Sequence, residues 1–164
     1  MNFTKTLAAT LLIGAGMMSA PAMAAGPWYG GLNIGQFKAN DCSGDCSDTA
    51  YKLLAGYQFT PNVGVEVAYM DGGKIGGVKP TAFGVGVVGT FPVGNGFSLL
   101  GRLAVNNAKA KPDVGSSESS TELGFGLGAA YAISPAVDLS LEFERVKFKG
   151  GDGDLVSLGA KMKF

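Results

Sequence analysis

The chain of 164 residues contains no histidine. A Ser-His-Asp triad, a histidine proton shuttle and a histidine-ligated zinc centre are therefore excluded. Charge is scarce as well. Asp, Glu, Lys and Arg make up 16% of residues, and 13 basic groups balance 13 acidic ones. That balance excludes the basic footprint of a nucleic-acid binder. Weak charge beside a hydrophobic fraction of 46% excludes a disordered chain. Long apolar runs are missing beyond residue 24. Every later run is broken by glycine, a polar group or a charge within about ten residues, short of the ~20 a membrane-spanning helix needs. Any passage of a membrane is then made without helices. Glycine, by contrast, is abundant at 27 residues, but not in the Gly-X-Y repeat of collagen. The length suits one domain.

Residues 1–24 read as an address. Lys5 supplies a short positive region, residues 6–20 are apolar, and Ala22-Met23-Ala24 has the A-x-A form of a cleavage site. A cut after Ala20 would leave Pro21 behind the scissile bond, so the cut is expected after Ala24. The alternative, a helical anchor, is disfavoured because the apolar run falls short of the ~20 residues that cross a bilayer. The expected division is a signal peptide, 1–24, and one barrel domain, 25–164.

The rest of the chain alternates. In Val63-Gly64-Val65-Glu66-Val67-Ala68-Tyr69 odd positions are large and apolar, and even positions are small or charged. Period two marks a strand with two unlike faces. The pattern recurs in eight segments, roughly 28–38, 50–59, 63–71, 81–91, 97–106, 121–133, 137–146 and 155–164. Val, Tyr, Phe and Thr favour strands. Connections at 60–62, 92–96 and 134–136 are short and contain proline. Those at 39–49, 72–80, 107–120 and 147–154 are longer and polar, and 107–120 reads as a mobile, solvated loop. Alternating short and long connections predict an all-β, eight-stranded antiparallel up-and-down barrel that spans a membrane. Closure matters there, because an open edge in lipid leaves backbone donors unpaired.

Periodicity alone does not say which face points outward. A water-soluble, lipocalin-like barrel would turn its apolar face inward. Here the less apolar face is tiny: Ala82, Gly84, Gly86, Val88 and Thr90 in the fourth segment, and Glu122, Gly124, Gly126, Gly128 and Ala130 in the sixth. Small residues suit a narrow lumen. The opposite face is bulky (Phe83, Val85, Val87, Leu123, Phe125, Leu127) and suits lipid. Trp28, Tyr57, Phe59, Tyr69, Phe91, Phe97, Tyr131 and Phe164 are candidates for interfacial girdles. The inward face then holds Lys52, Glu66, Arg102, Glu122, Asp138, Glu142, Glu144, Lys161 and Lys163. Enclosed charges must be paired. Arg102 is expected to meet Glu66, Glu142 or both, with Lys161 nearby. Such a network is either a structural plug or the lining of a gated pore, and eight strands favour the plug.

Pro27-Trp28-Tyr29-Gly30-Gly31-Leu32-Asn33-Ile34-Gly35 resembles the first strand of OmpA-type small outer-membrane barrels. Ala55-Gly56-Tyr57-Gln58-Phe59 followed by Asn62-Val63-Gly64-Val65-Glu66-Val67-Ala68-Tyr69 resembles that family's strand-turn-strand. The final Phe164, preceded by alternate apolar residues, resembles the signal read by the barrel-insertion machinery. The resemblance covers essentially all of 25–164. It implies an eight-stranded barrel in the outer membrane of Gram-negative bacteria, with Glu66 and Arg102 in the internal charge network. It further implies a stand-alone barrel without the peptidoglycan-binding periplasmic domain of OmpA proper.

Cys42 and Cys46 lie close together in an exported chain and are expected to form a disulfide. A calcium site with Asp41, Asp45 and Asp48 matches no established loop spacing, so no metal and no cofactor are expected. Gly84-Val85-Gly86-Val87-Val88-Gly89 fits G-x-G-x-x-G literally, but it sits inside one alternating segment with no helix after it. It is read as strand. The functional expectation is a structural or surface-interaction protein displaying extracellular loops to an unidentified ligand. Outer-membrane lipids and lipopolysaccharide surround it. A low-conductance pore is the alternative. A lipid A-modifying enzyme is disfavoured, because the loops hold no recognisable dyad.

Overall fold

The computed structural model describes residues 26–40, 46–112, 115–116, 118–148 and 151–164. Residues 1–24, with the expected cleavage after Ala24, and Cys42 lie outside them. Eight strands form among the described residues: β1 (Trp28–Ala39), β2 (Ser47–Thr60), β3 (Val63–Asp71), β4 (Val78–Gly94), β5 (Phe97–Pro112), β6 (Glu118–Ala132), β7 (Val137–Phe148) and β8 (Gly151–Lys163). Each pairs antiparallel with its sequence neighbour, and β1 pairs with β8 from Tyr29↔Lys163 to Ala39↔Gly153. The sheet is thus a closed barrel.

The alternation has the expected sense. Leu103, Leu123 and Leu127 are 67%, 69% and 63% exposed and point outward, as do Phe83, Val85 and Val87. The residues between them turn inward. An apolar band of this extent on the outside of a water-soluble protein would drive association. On a barrel it is the surface that meets acyl chains.

At the short-turn end Asn95 and Gly96 join β4 to β5 with φ of 52° and 80°. Two successive positive φ values define the hairpin turn whose twist matches the flanking strands, and Asn-Gly is its preferred pair. Pro92 lies next to the register shift between Pro92 and Gly94, where a missing backbone donor is tolerated. β4 therefore runs through part of the connection expected at 92–96.

The other end differs more from expectation. The segment 107–120 is largely strand, not loop. Asn107 pairs with Thr121, Ala108 with Ser120, Lys109 with Ser119 and Ala110 with Glu118. Alternation persists there in disguise. Ala108 is buried on the inside and Lys109 is exposed outside, so both faces are low in large apolar residues. The connection expected at 147–154 likewise shrinks, since Phe148 pairs with Gly151. The connection at 72–80 shortens because β4 begins at Val78 and an isolated bridge joins Ile75 to Val78.

The inside is filled. Toward the outer end Phe37, Ala50, Met70, Ile75, Ala82, Ala108, Val146 and Leu155 form one apolar cluster. Phe37 occupies the space where Gly153 would carry a Cβ, so that glycine is required by close approach.

Candidate functional site in the barrel interior

Below the apolar cluster five long charged side chains from four strands converge. Lys52 comes from β2, Glu66 from β3, Arg102 from β5, and Glu142 and Glu144 from β7. All five point inward because they share the parity of the small residues. Arg102 Nη2 lies 2.7 Å from Glu66 Oε1, and Nη1 lies 2.6 Å from Glu142 Oε2. Arg102 also pairs with Glu144. Lys52 Nζ lies 3.0 Å from Glu142 Oε2 and pairs with Glu144 as well. Ser140 Oγ donates to Glu142 Oε1 at 2.8 Å, and Tyr29 OH donates to Glu66 Oε2 at 3.2 Å.

Glycine makes the reach possible. Across the wall the register runs Arg102↔Gly126 and then Gly126↔Glu144. A Cβ at Gly126 would stand 2.8 Å from Glu144 Cγ. Any side chain there would displace the carboxylate from the guanidinium. Tyr29 reaches Glu66 in the same way, since its ring fills the place of a Cβ at Gly56.

Lys52 is 2% exposed, Glu66 4% and Glu142 6%. Charges so enclosed persist only when paired and hydrogen-bonded. Two cations meet three carboxylates, and each carboxylate touches at least one cation. A cavity of about 30 Å³ beside them is lined by Glu66, Gly84, Gly86, Arg102, Ala104 and Glu144, among others.

The structure thus brings Arg102 together with Glu66 and Glu142. Lys161 stands nearby but apart from the ion pairs, with Nζ 4.8 Å from the centre of the Tyr29 ring. Lys163 pairs instead with Asp138 at 2.9 Å, nearer the short-turn end. Glu122 is not in the layer and lines a separate cleft. Sequence reasoning put Lys52 and Glu144 on the inward face but did not assign them to the network, and it missed Tyr29. Their parity was the available signal. Their partners lie across the lumen, where alternation carries no information.

Outside, Trp28, Tyr57, Phe59, Phe91, Phe97, Tyr131 and Phe164 gather at the short-turn end. Trp28 packs edge-on against Tyr57 at 4.8 Å, and Phe97 packs at a tilt against Tyr131 at 4.7 Å. Tyr69 lies toward the other end, near Phe83, its partner on β4. Phe164 N donates to Trp28 O at 2.9 Å, which ties the end of the chain to the start of β1. Cys46 is buried, and no free cysteine occurs among the described residues. Its expected partner Cys42 lies outside them.

A closed eight-stranded barrel, an apolar outer band and an ion-paired lumen coincide with a family model for the outer membrane protein beta-barrel domain, which matches residues 8–164. The chain belongs to the outer membrane β-barrel family. It is accordingly an outer-membrane protein of the Gram-negative type. Among solved structures the barrel is similar to Neisserial surface protein A, with 23% identity, a TM-score of 0.63, and coverage of 84% of this chain and 97% of that one. It is similar to Ail, the attachment invasion locus protein of Yersinia pestis, solved with the heparin analogue sucrose octasulfate. There identity is 21%, the TM-score is 0.55, and coverage is 84% and 99%. The N-terminal β-barrel domain of Pseudomonas aeruginosa OprF gives 13% identity, a TM-score of 0.67, and coverage of 85% and 98%. No curated protein matches the chain.

Proposed function

We propose that this outer-membrane barrel is a structural and surface-interaction protein, a closed wall that holds its outer connections on the cell surface. The observation that carries the reading is the filled lumen. Lys52, Glu66, Arg102, Glu142 and Glu144 interlock at mid-barrel, beside a cavity of only about 30 Å³. Phe37, Met70 and Leu155 pack above them. The solved complex of Ail with a sulfated ligand supports the surface role by fold likeness alone. The competing reading is a low-conductance pore, favoured by charged groups lining the interior. Planar-bilayer recording separates the two. Silence of both wild type and Arg102→Ala removes the pore, and steps that appear only in Arg102→Ala identify the plug. Discrete steps from wild type contradict the closed wall. No enzymatic step belongs to this reading, and lipid A mass spectra should be unchanged in a deletion strain.

Several finer assignments belong to the same proposal. Cleavage after Ala24 releases the domain 25–164. Cys42 and Cys46 form a local disulfide. Phe164 addresses the chain to the insertion machinery. Outer-leaflet lipids and lipopolysaccharide meet the outward lysines Lys79, Lys109 and Lys111. Lys79 lies directly opposite Lys111 on neighbouring strands. Lys79 pairs with Asp71 at 2.8 Å, so the lipid phosphates are expected at Lys109 and Lys111.

A further inference from the structure

The connection 72–77, between β3 and β4, folds into the barrel rather than away from it. It reads Gly72-Gly73-Lys74-Ile75-Gly76-Gly77, so Lys74 and Ile75 stand between two pairs of glycines. Ile75 is buried and belongs to the apolar cluster with Phe37, Met70, Ala82, Val146 and Leu155. It caps that cluster from the outer side. Beneath it, Val146 belongs to the cluster and also lines the cavity beside Arg102 and Glu144. Water that passed Ile75 and the cluster would next meet the ion pairs.

The backbone of this segment suits both holding that position and leaving it. Gly73, Gly76 and Gly77 have φ of 75°, 55° and 82°. Glycine takes either sign of φ at no steric cost, and residues that absorb large φ changes serve as hinges. The flanks are fixed. Asp71 pairs with Thr81, Gly72 N donates to Pro80 O at 2.9 Å, and Val78 pairs with Pro112 of β5. Motion therefore falls between the two glycine pairs. Closure draws on the isolated bridge between Ile75 and Val78, on the burial of Ile75, and on Asp48. Lys74 N donates to Asp48 Oδ2 at 2.7 Å, which latches the tip of the segment to β2. The strands themselves are joined by continuous ladders. A segment held by few contacts opens locally at a lower free energy than the whole barrel.

We propose that 72–77 is a hinged cork that opens as a unit and controls the access of outside water to the ion-paired layer. The inference goes beyond the surface-interaction reading and does not depend on it. Closed, Ile75 excludes water from the cluster, and the paired charges beneath are screened little by salt. Open, the cluster meets water while Lys52, Glu66, Arg102, Glu142 and Glu144 still block the lumen. The cork is therefore a cover and not a channel gate. The other large members of the cluster, Phe37, Met70, Val146 and Leu155, are carried by strands. Ile75 is carried by a connection in which four of six residues are glycine.

The test uses the whole barrel in phospholipid nanodiscs, with Cys42→Ser and Cys46→Ser throughout. A water-soluble methanethiosulfonate reagent reports on Ala82→Cys, within the cluster, and on Ala130→Cys, which is buried nearer the short-turn end. With the cork unchanged, Ala82→Cys should react through local opening, about tenfold or more faster than the barrel unfolds. Ile75→Ser removes the apolar cap and should speed that reaction about tenfold or more. Asp48→Ala removes the latch from outside the cluster and should speed it about threefold or more. Asp48→Asn keeps one acceptor and should fall between Asp48→Ala and the unchanged cork. Reaction at Ala130→Cys should change less than about twofold in every variant, since local opening leaves the rest of the barrel closed. Reaction at Ala82→Cys no faster than unfolding, no acceleration by Asp48→Ala, or equal acceleration at positions 82 and 130 would each overturn the proposal. The Asp48 comparison stands even if the Ile75→Ser barrel does not fold.

Discussion

Arg102 holds three carboxylates, and its loss is felt by all of them. With Lys52 alone left to face Glu66, Glu142 and Glu144, an uncompensated buried charge remains. Breaking a buried pair costs about 3–5 kcal/mol. Arg102→Met should therefore lower the unfolding free energy of the refolded barrel, read by urea titration, by an amount in that range. Because Glu66 is the partner that Lys52 does not reach, Glu66→Gln in the Arg102→Met background should restore part of the loss. The two substitutions should be clearly non-additive in a double-mutant cycle. Additive losses would mean that Arg102 and Glu66 are not coupled. At the opposite extreme of size, Gly96 holds a φ of 80° in the turn after Asn95. Gly96→Val places a branched side chain where left-handed backbone is strained. A loss of about 1–2 kcal/mol is expected, with slower refolding into lipid as its kinetic sign.

Each strand is a two-faced object, and the faces respond differently to the same substitution. Leu103 on β5 points outward at 67% exposure. Leu103→Arg should destabilise the barrel in lipid by about 2–4 kcal/mol, the cost of a cation on the lipid face near mid-bilayer. Thr81→Arg, beyond the apolar band on β4, should be close to neutral in the same unfolding assay. Strand alternation was legible because residues such as Val63, Val65 and Val67 stand against Gly64, Glu66 and Ala68. The strand ends were not legible where both faces lose their large apolar groups. Ala108 to Lys111 keeps the period but not the contrast, so it resembles a loop until Ser119, Ser120 and Thr121 are seen paired against Lys109, Ala108 and Asn107. The Asn95-Gly96 turn was a local signal hidden by the proline before it. Inward parity also located Glu66, Arg102 and Glu142. It did not show that Lys52 and Glu144 complete the layer, because contacts across a lumen depend on register and barrel closure.

The whole molecule is inverted relative to a water-soluble barrel. Most of its large apolar side chains lie outside, and a charged layer is enclosed within. Closure of β1 on β8 removes the backbone edges through the membrane span. The ion-paired layer and the apolar cluster above it make the interior solid, so rigidity and display follow from the same packing. Label accessibility tests that inversion most directly. In a Cys42→Ser, Cys46→Ser background, nitroxides are placed singly at Leu103→Cys, Leu127→Cys and Glu122→Cys in lipid vesicles. Collisions with oxygen, which concentrates in lipid, and with a water-soluble nickel chelate are then compared. Labels at 103 and 127 should collide freely with oxygen and hardly with nickel, and the label at 122 should do the reverse. Nickel access at 103 and 127 equal to that at 122 would contradict the account.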